Sequence, residues 1–147
     1  EDGSWTIPAE RSKNAKPHVV HLSDQARALL ADVPKIGDHV FTTNGRTPFS
    51  GFSKAKSRLD ELSGVTDWRL HDIRRTVVSG MAKLGIAPHV ADKVLNHQSG
   101  TISGVAAVYQ RHEFLDEREI ALKTWGSYVQ SLFEGTQSTN VVDIRRR

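Results

Sequence analysis

The sequence contains no cysteine, which excludes disulfide bonds, thiolate metal sites and cysteine nucleophiles. No apolar run approaches the roughly 18 residues that a membrane-spanning helix needs. The first residues carry neither the basic nor the apolar stretch of a signal peptide. We therefore expect a cytoplasmic protein with no membrane partner. Because the chain opens on a strand-like segment without a methionine, we also expect it to be a fragment of a longer protein.

Positive charges exceed negative charges only slightly, with a net charge of +3 over 147 residues. Basic residues nevertheless form clusters between residues 11 and 75, and four acidic residues cluster between residues 113 and 119. This distribution indicates a basic face for a polyanion, although scattered surface charges remain an alternative. The residues that we predict to contact DNA are Arg11, Lys16, Lys54, Lys56, Arg58, Arg69 and Arg75.

The first half of the chain predicts a small sheet followed by helices. Residues 5–11 and 18–22 favour strands, and the turn-forming "SKNAK" between them favours a hairpin. Ser23 caps a predicted helix that ends before Pro34. Residues 39–50 predict a brief strand with an Asn-Gly turn. The next helix begins at Ser50 or Ser53, and its expected core residues are Phe52, Leu59 and Leu62.

The second half predicts three further helices. The first carries an apolar stripe and ends at Gly85, and the second runs from Pro88 to His97. The stripe consists of Leu70, Ile73, Val77, Met81 and Leu84. Residues 101–112 predict a loop leading into a short helix. The last helix spans residues 113–133, with expected core residues Ile120, Leu122, Trp125, Val129 and Leu132. The fold class is α+β and mainly α: a helical bundle with a small antiparallel hairpin over residues 1–133, and a tail, 134–147, that is flexible or forms a lone strand.

The segment "TDWRLHDIRRTVVSG", residues 66–80, places a histidine and an arginine beside the apolar stripe. At about 100° per residue, Arg74 lies on the shoulder of the stripe, and His71 lies about 60° beyond it on the same side. A half-buried arginine needs an anion. That anion is either a bound phosphate or, as the more ordinary alternative, the carboxylate of Asp60 or Glu61.

Three more residues extend this pair into a possible reaction centre. His97 ends a helix in "LNHQSG", Tyr109 follows in "VAAVYQRH", and Lys13 lies at the hairpin turn. A tyrosine can attack a phosphodiester if cations bind the phosphate and an acid protonates the leaving oxygen. Such chemistry needs no metal and no other cofactor, and the chain has no carboxylate cluster of the kind that magnesium nucleases use.

The ordered motifs "HDIRRT", "LNHQSG" and "VAAVYQRH" resemble the signature of the tyrosine recombinases, in the phage integrase branch. The resemblance implies site-specific cleavage and rejoining of double-stranded DNA at attachment sites, by four cooperating protomers, through a 3′-phosphotyrosine. It implies Tyr109 as nucleophile, and Arg74, His71 and His97 as phosphate ligands. The hairpin also resembles the one that supplies a lysine general acid to that family, which implies Lys13, with Lys16 as second candidate.

The sequence departs from the family pattern in two respects. The first catalytic arginine of the family and its core-binding domain would both lie upstream of Glu1, so we expect the chain alone to be impaired by about 10²- to 10³-fold or more. Asn96 stands where the family has glycine, at a helix end that accepts a left-handed residue. Two other functions remain open: a helix-turn-helix DNA-binding module, and a histidine-pair nuclease that hydrolyses DNA without a covalent adduct.

Overall fold

The computed structural model describes residues 3–97 and 112–135. Two antiparallel strands open the chain, β1 at Ser4–Ile7 and β2 at His18–His21. The predicted hairpin is confirmed, but its first strand ends at Ile7 and not at residue 11. The reason is local: Pro8 has no N–H to offer a neighbouring strand. Ala9–Arg11 then forms a 3₁₀ turn, in which the Arg11 N–H donates to the Pro8 carbonyl.

Five α-helices follow within the described residues, so the mainly helical α+β class is confirmed. They are α1 (Asp24–Ala31), α2 (Phe52–Ser63), α3 (Leu70–Lys83), α4 (Pro88–Val94) and α5 (Leu115–Phe133). Ser23 caps α1 as expected, since its hydroxyl accepts from the Ala26 N–H at 3.2 Å. Gly85 is left-handed after α3, and Pro88 opens α4. Among these helices, none is long and apolar enough to cross a membrane.

The prediction of a strand within residues 39–50 is wrong. The Asn44 carboxamide accepts from the backbone N–H groups of Arg46 and Thr47, at 2.9 and 3.0 Å, and this local turn replaces strand pairing. The turn itself is confirmed, because Gly45 takes a left-handed conformation. The following helix begins after Gly51, so neither of the two predicted serine caps is used.

The core is formed where α3, α4 and α5 meet, and α5 also packs against α1 and β2. Its fully enclosed residues are Met81, Val90, Ala91 and Ala121. Trp125 of α5 lies against Gly80 of α3, where an added Cβ would stand 2.0 Å from the indole ring. This close approach requires glycine at that position, although glycine is a poor helix former.

Several residues predicted to be in the core are exposed. On α2, Phe52, Leu59 and Leu62 are 58, 51 and 71% exposed, and no described helix or strand packs extensively against that helix. The apolar stripe marks the face correctly, but burial also needs a covering element. Three further core predictions are wrong in the same way: Ile120, Val129 and Leu132. The first two residues of the α3 stripe, Leu70 and Ile73, are also exposed.

Two predictions fall outside the described residues. One is the loop and short helix expected at 101–112, of which only residue 112 is described. The other is the strand suggested for the tail, which falls after residue 135. Tyr109 belongs to the first of these segments.

Candidate active site at the end of helix α4

The end of α4 forms a tight helix-terminating turn. The Asn96 N–H donates to the Lys93 carbonyl at 3.1 Å, and the His97 N–H donates to the Asp92 carbonyl at 3.0 Å. Asn96 has a φ of +55°. These two hydrogen bonds and the left-handed residue constitute a Schellman motif. The prediction that position 96 accepts a left-handed residue is confirmed.

This turn presents the His97 side chain at the surface. The imidazole is 43% exposed, and its Nδ1 lies 3.3 Å from the Asp92 carboxylate. When Nδ1 carries the hydrogen, it donates to that carboxylate and leaves Nε2 directed to a ligand. His97 is thus oriented by its own helix and remains accessible.

Arg74 reaches the same turn from α3. Its guanidinium is half-buried, and Nη2 donates to the Leu95 carbonyl. The ion pair with Asp60 or Glu61 does not form, because Asp60 is bound by Lys56 at 2.6 Å and Glu61 has no described ion pair. Within residues 3–97 and 112–135, no carboxylate pairs with Arg74. The arginine therefore retains an unpaired charge beside the core.

His71 lies on the exposed part of α3, one turn before Arg74. The neighbouring Asp72 accepts from the Arg69 N–H at 2.9 Å and pairs with Arg75 at 3.2 Å. The Arg69 hydrogen bond first, and then the charges of Arg75 and His71, lower the pKa of Asp72 below its usual value. A carboxylate thus stays ionised next to His71.

The hairpin turn reaches α4 through a pair of asparagines. Asn14 Nδ2 donates to the Asn96 side-chain oxygen at 2.9 Å and to its carbonyl at 3.1 Å, and Asn96 Nδ2 donates to Ser12 Oγ at 3.3 Å. Lys13 is exposed between these two hairpin residues, in a turn closed by the Ala15 N–H on the Ser12 carbonyl at 3.0 Å. The structure therefore brings the Lys13 turn, Arg74 and His97 to one helix end.

Comparison with known proteins identifies the family of this chain. The sequence model of the phage integrase family matches residues 1–114 of the 147. The chain belongs to the phage integrase family. It is 30% identical over 142 residues to prophage integrase IntZ, and 28% identical over 138 residues to prophage integrase IntA, both of Escherichia coli (strain K12). The alignments cover 92 and 90% of this chain but 34 and 32% of those proteins, so the chain spans about a third of their length. No solved structure matches at a significant level.

The basic residues of this integrase-family chain divide into two groups. Five of the seven predicted DNA contacts are exposed without a described ion pair: Arg11, Lys16, Lys54, Arg58 and Arg69. Lys56 is instead held by Asp60 and lies 4.8 Å from the centre of the Trp68 ring, and Arg75 is paired with Asp72. Lys56 and Arg75 would have to leave these carboxylates to contact DNA. For all seven residues, a role in DNA binding stays a prediction. In the described ranges, no cluster of three or more metal-binding side chains occurs.

Two residues beneath the site were not predicted from the sequence. Arg118 of α5 is buried, and its Nη2 donates to the Val19 carbonyl of β2 and lies 3.4 Å from His18 Nδ1. Burial, followed by the charge of Arg118, lowers the pKa of His18 below 6.5. This pair joins the base of the hairpin to α5, and it thereby supports the position of the Lys13 turn.

Proposed function

We propose that this chain cleaves and rejoins DNA at a specific site through a 3′-phosphotyrosine formed by Tyr109. The observation that carries the proposal is the meeting of Arg74, His97 and the Lys13 turn at the end of α4. Tyr109 follows His97 by twelve residues in the sequence. Membership of the phage integrase family supports recombination as the general activity.

The reaction is a transesterification at phosphorus. The Tyr109 oxygen attacks the phosphorus, and the bond from phosphorus to the 5′ oxygen breaks. His71 or His97 takes the phenolic proton, while Lys13 donates a proton to the leaving oxygen. The bond energy stays in the phosphotyrosine, so a 5′-hydroxyl of a second strand reverses the step without ATP or a metal.

Arg74 is the group best suited to bind the phosphate being cut. Its planar guanidinium matches two phosphate oxygens, and a half-buried charge without a carboxylate is stabilised by a bound anion. Once His71 or His97 holds the phenolic proton, its imidazolium can donate to the phosphate from the exposed side. An anion at this position would bear its greatest charge in the transition state, which is when the contacts act most strongly.

The proposal extends to the domain organisation and the assembly of the protein. Residues 1–133 form a catalytic domain and residues 134–147 a tail, and four protomers act together on two DNA duplexes. Such an enzyme works on DNA in the cytoplasm. The basic residues on the exposed surface hold the phosphate backbone around the cut and set no base preference by themselves.

Covalent trapping on nicked DNA from the ends of the encoding element tests the proposal. The DNA–protein adduct is read as an SDS-resistant band, with the 147-residue chain and with any longer form that its gene encodes. We expect Tyr109→Phe to abolish the adduct. Tyr128→Phe is the matched control, because Tyr128 packs against Trp125 with ring centres 5.6 Å apart and is expected to leave the adduct intact.

Other outcomes would assign another function. Salt-dependent DNA binding with no adduct in any form would contradict the proposal and favour the helix-turn-helix module. Strand scission without an adduct, and insensitive to Tyr109→Phe, would favour the histidine-pair nuclease.

A further inference from the structure

We propose that Asn96 is a positioning residue that holds the Lys13 turn against the end of α4, and so directs the proton donor towards the cut phosphate. The inference rests on the proposed function, because it concerns the protonation of the leaving 5′ oxygen. Asn96 touches neither the phosphate nor the tyrosine in this role. It acts through Lys13.

The contacts are reciprocal and long-range. The Asn14 amide donates to the Asn96 side-chain oxygen across 82 residues, and the Asn96 amide donates to Ser12 across 84. Asn96 thereby uses both its carboxamide oxygen and its nitrogen. Because Ser12 and Asn14 immediately precede and follow Lys13, the backbone of Lys13 is held on both sides.

Backbone conformation alone does not explain asparagine at this position. A φ of +55° is the region that glycine occupies without steric cost, whereas asparagine is tolerated there. The side chain of Asn96 therefore has to be accounted for by what it binds, and what it binds is the turn carrying Lys13. The same residue fixes the backbone of His97, so one amide links the proposed acid to a proposed phosphate ligand.

Asn96→Gly isolates the side chain, since glycine keeps the left-handed turn and the backbone carbonyl that accepts from Asn14, and it removes the two hydrogen bonds of the carboxamide. A double-mutant cycle with Asn14→Ala, measured by urea unfolding, tests the contact without any chemistry. We expect the two changes to be coupled by about 5- to 30-fold in the unfolding equilibrium constant, as one or two lost hydrogen bonds imply. Asn44→Ala removes a comparable set of amide hydrogen bonds from the 42–47 turn and should show no coupling to Asn96→Gly.

Positioning of the acid is tested by changing the leaving atom. A nicked substrate with sulfur in place of the bridging 5′ oxygen releases a thiolate, which needs little protonation because a thiol has a pKa of about 8.5. With oxygen, we expect Asn96→Gly to slow adduct formation by about 10- to 100-fold, the scale of a small misplacement. With the sulfur substrate, we expect the Asn96→Gly variant to form the adduct at a rate within about 2-fold of that of the unaltered protein. Lys13→Ala should show a larger loss and the same rescue, and Asn44→Ala should show neither.

The outcomes separate this inference from the proposed function. An equal loss on both substrates would mean that Asn96 only supports the fold, and an unchanged rate with oxygen would mean that Lys13 needs no such support. Either result overturns the inference and leaves the Tyr109-dependent adduct, and with it the proposed function, in place. The inference is also overturned if the sulfur substrate fails to restore the rate of Lys13→Ala. Absence of any Tyr109-dependent adduct overturns the proposed function and this inference together.

Discussion

Arg118 is the perturbation whose effect on stability follows most directly from the contacts. Its side chain is 3% exposed, it donates to the Val19 carbonyl, and a second donor lies 3.4 Å from the Glu113 carbonyl. Its Nε is buried without a hydrogen-bond partner among residues 3–97 and 112–135. Arg118→Ala removes the donors and the aliphatic stem together, and the partly buried Val19 carbonyl loses this donor.

The magnitude follows from three opposing contributions. A partly buried carbonyl that loses a charged donor costs about 1–3 kcal/mol, and three buried methylene groups are worth about 2 kcal/mol. Removing an incompletely satisfied buried charge returns part of this cost. The ion pair with Glu113 adds little, because it spans 4.0 Å to a carboxylate that is 60% exposed. We expect a net loss of about 2–4 kcal/mol, or about 4–16 °C in Tm.

Thermal and urea unfolding monitored by circular dichroism measure this loss. Arg118→Met, which keeps most of the stem, should lose less than the alanine variant, and the difference reports the packing of the stem. Lys123→Ala is the control on the same helix, because its ion pair with Glu119, at 2.6 Å, is exposed and contributes little to stability. If Arg118→Ala costs no more than Lys123→Ala, the argument from burial is refuted.

Two further predictions concern pH and packing. Burial, and then a neighbouring guanidinium, lowers the pKa of His18 below 6.5 in the folded chain, so the unfolded chain binds the proton more readily. The contribution of His18 to stability is therefore fully present above about pH 6.5. Below that pH, the free energy of unfolding falls by up to about 1.4 kcal/mol per pH unit until the folded-state pKa is reached. His18→Gln should reduce the pH dependence of the urea midpoint between about pH 7.5 and 5.5, whereas exposed His39→Gln should leave it unchanged. Gly80→Ala should destabilise by about 1–3 kcal/mol because its Cβ meets Trp125, although helix propensity predicts a gain of about 1 kcal/mol. Ser79→Ala is the neighbouring control in thermal unfolding, and a stabilised Gly80→Ala would contradict the contact.

Local sequence signals predicted the elements of this fold well. Ser23, Gly85 and Pro88 each act through their own backbone or a hydrogen bond to a near neighbour, so their effect is present in a short window of sequence. Burial is not a local property. Leu62 lies on the apolar face of α2, as its spacing predicts, but it is exposed because no described element packs closely over that face.

The candidate site shows the same difference between local sequence signals and contacts that depend on tertiary packing. His71, Arg74 and His97 are predicted site residues because the chemistry proposed for them is visible in residue type and spacing. The amide pair of Asn14 and Asn96 was missed, because a contact across 82 residues leaves no periodic pattern in the sequence.

Arg118 did leave a signal. It lies three residues before the buried Ala121 and seven before Trp125, and this spacing places it on the buried face of the last helix. A charged residue at such a position predicts a buried partner. The identity of that partner, the Val19 carbonyl of β2, depends on tertiary packing and could not be predicted.

The geometry of the site depends on three consecutive residues. The Leu95 carbonyl receives Arg74 from α3, Asn96 receives the hairpin turn, and His97 carries the imidazole. Because these residues form one helix-terminating turn, a shift of that turn displaces the arginine, the lysine-bearing hairpin and the histidine together. The Leu95 carbonyl occupies one donor of Arg74 but is neutral, so the charge and the remaining N–H groups of the guanidinium stay available to a phosphate, and the Asn96 amide engages no cationic group. The residues that align the site are thus distinct from those proposed to carry its chemistry, and each set can be altered without removing the other.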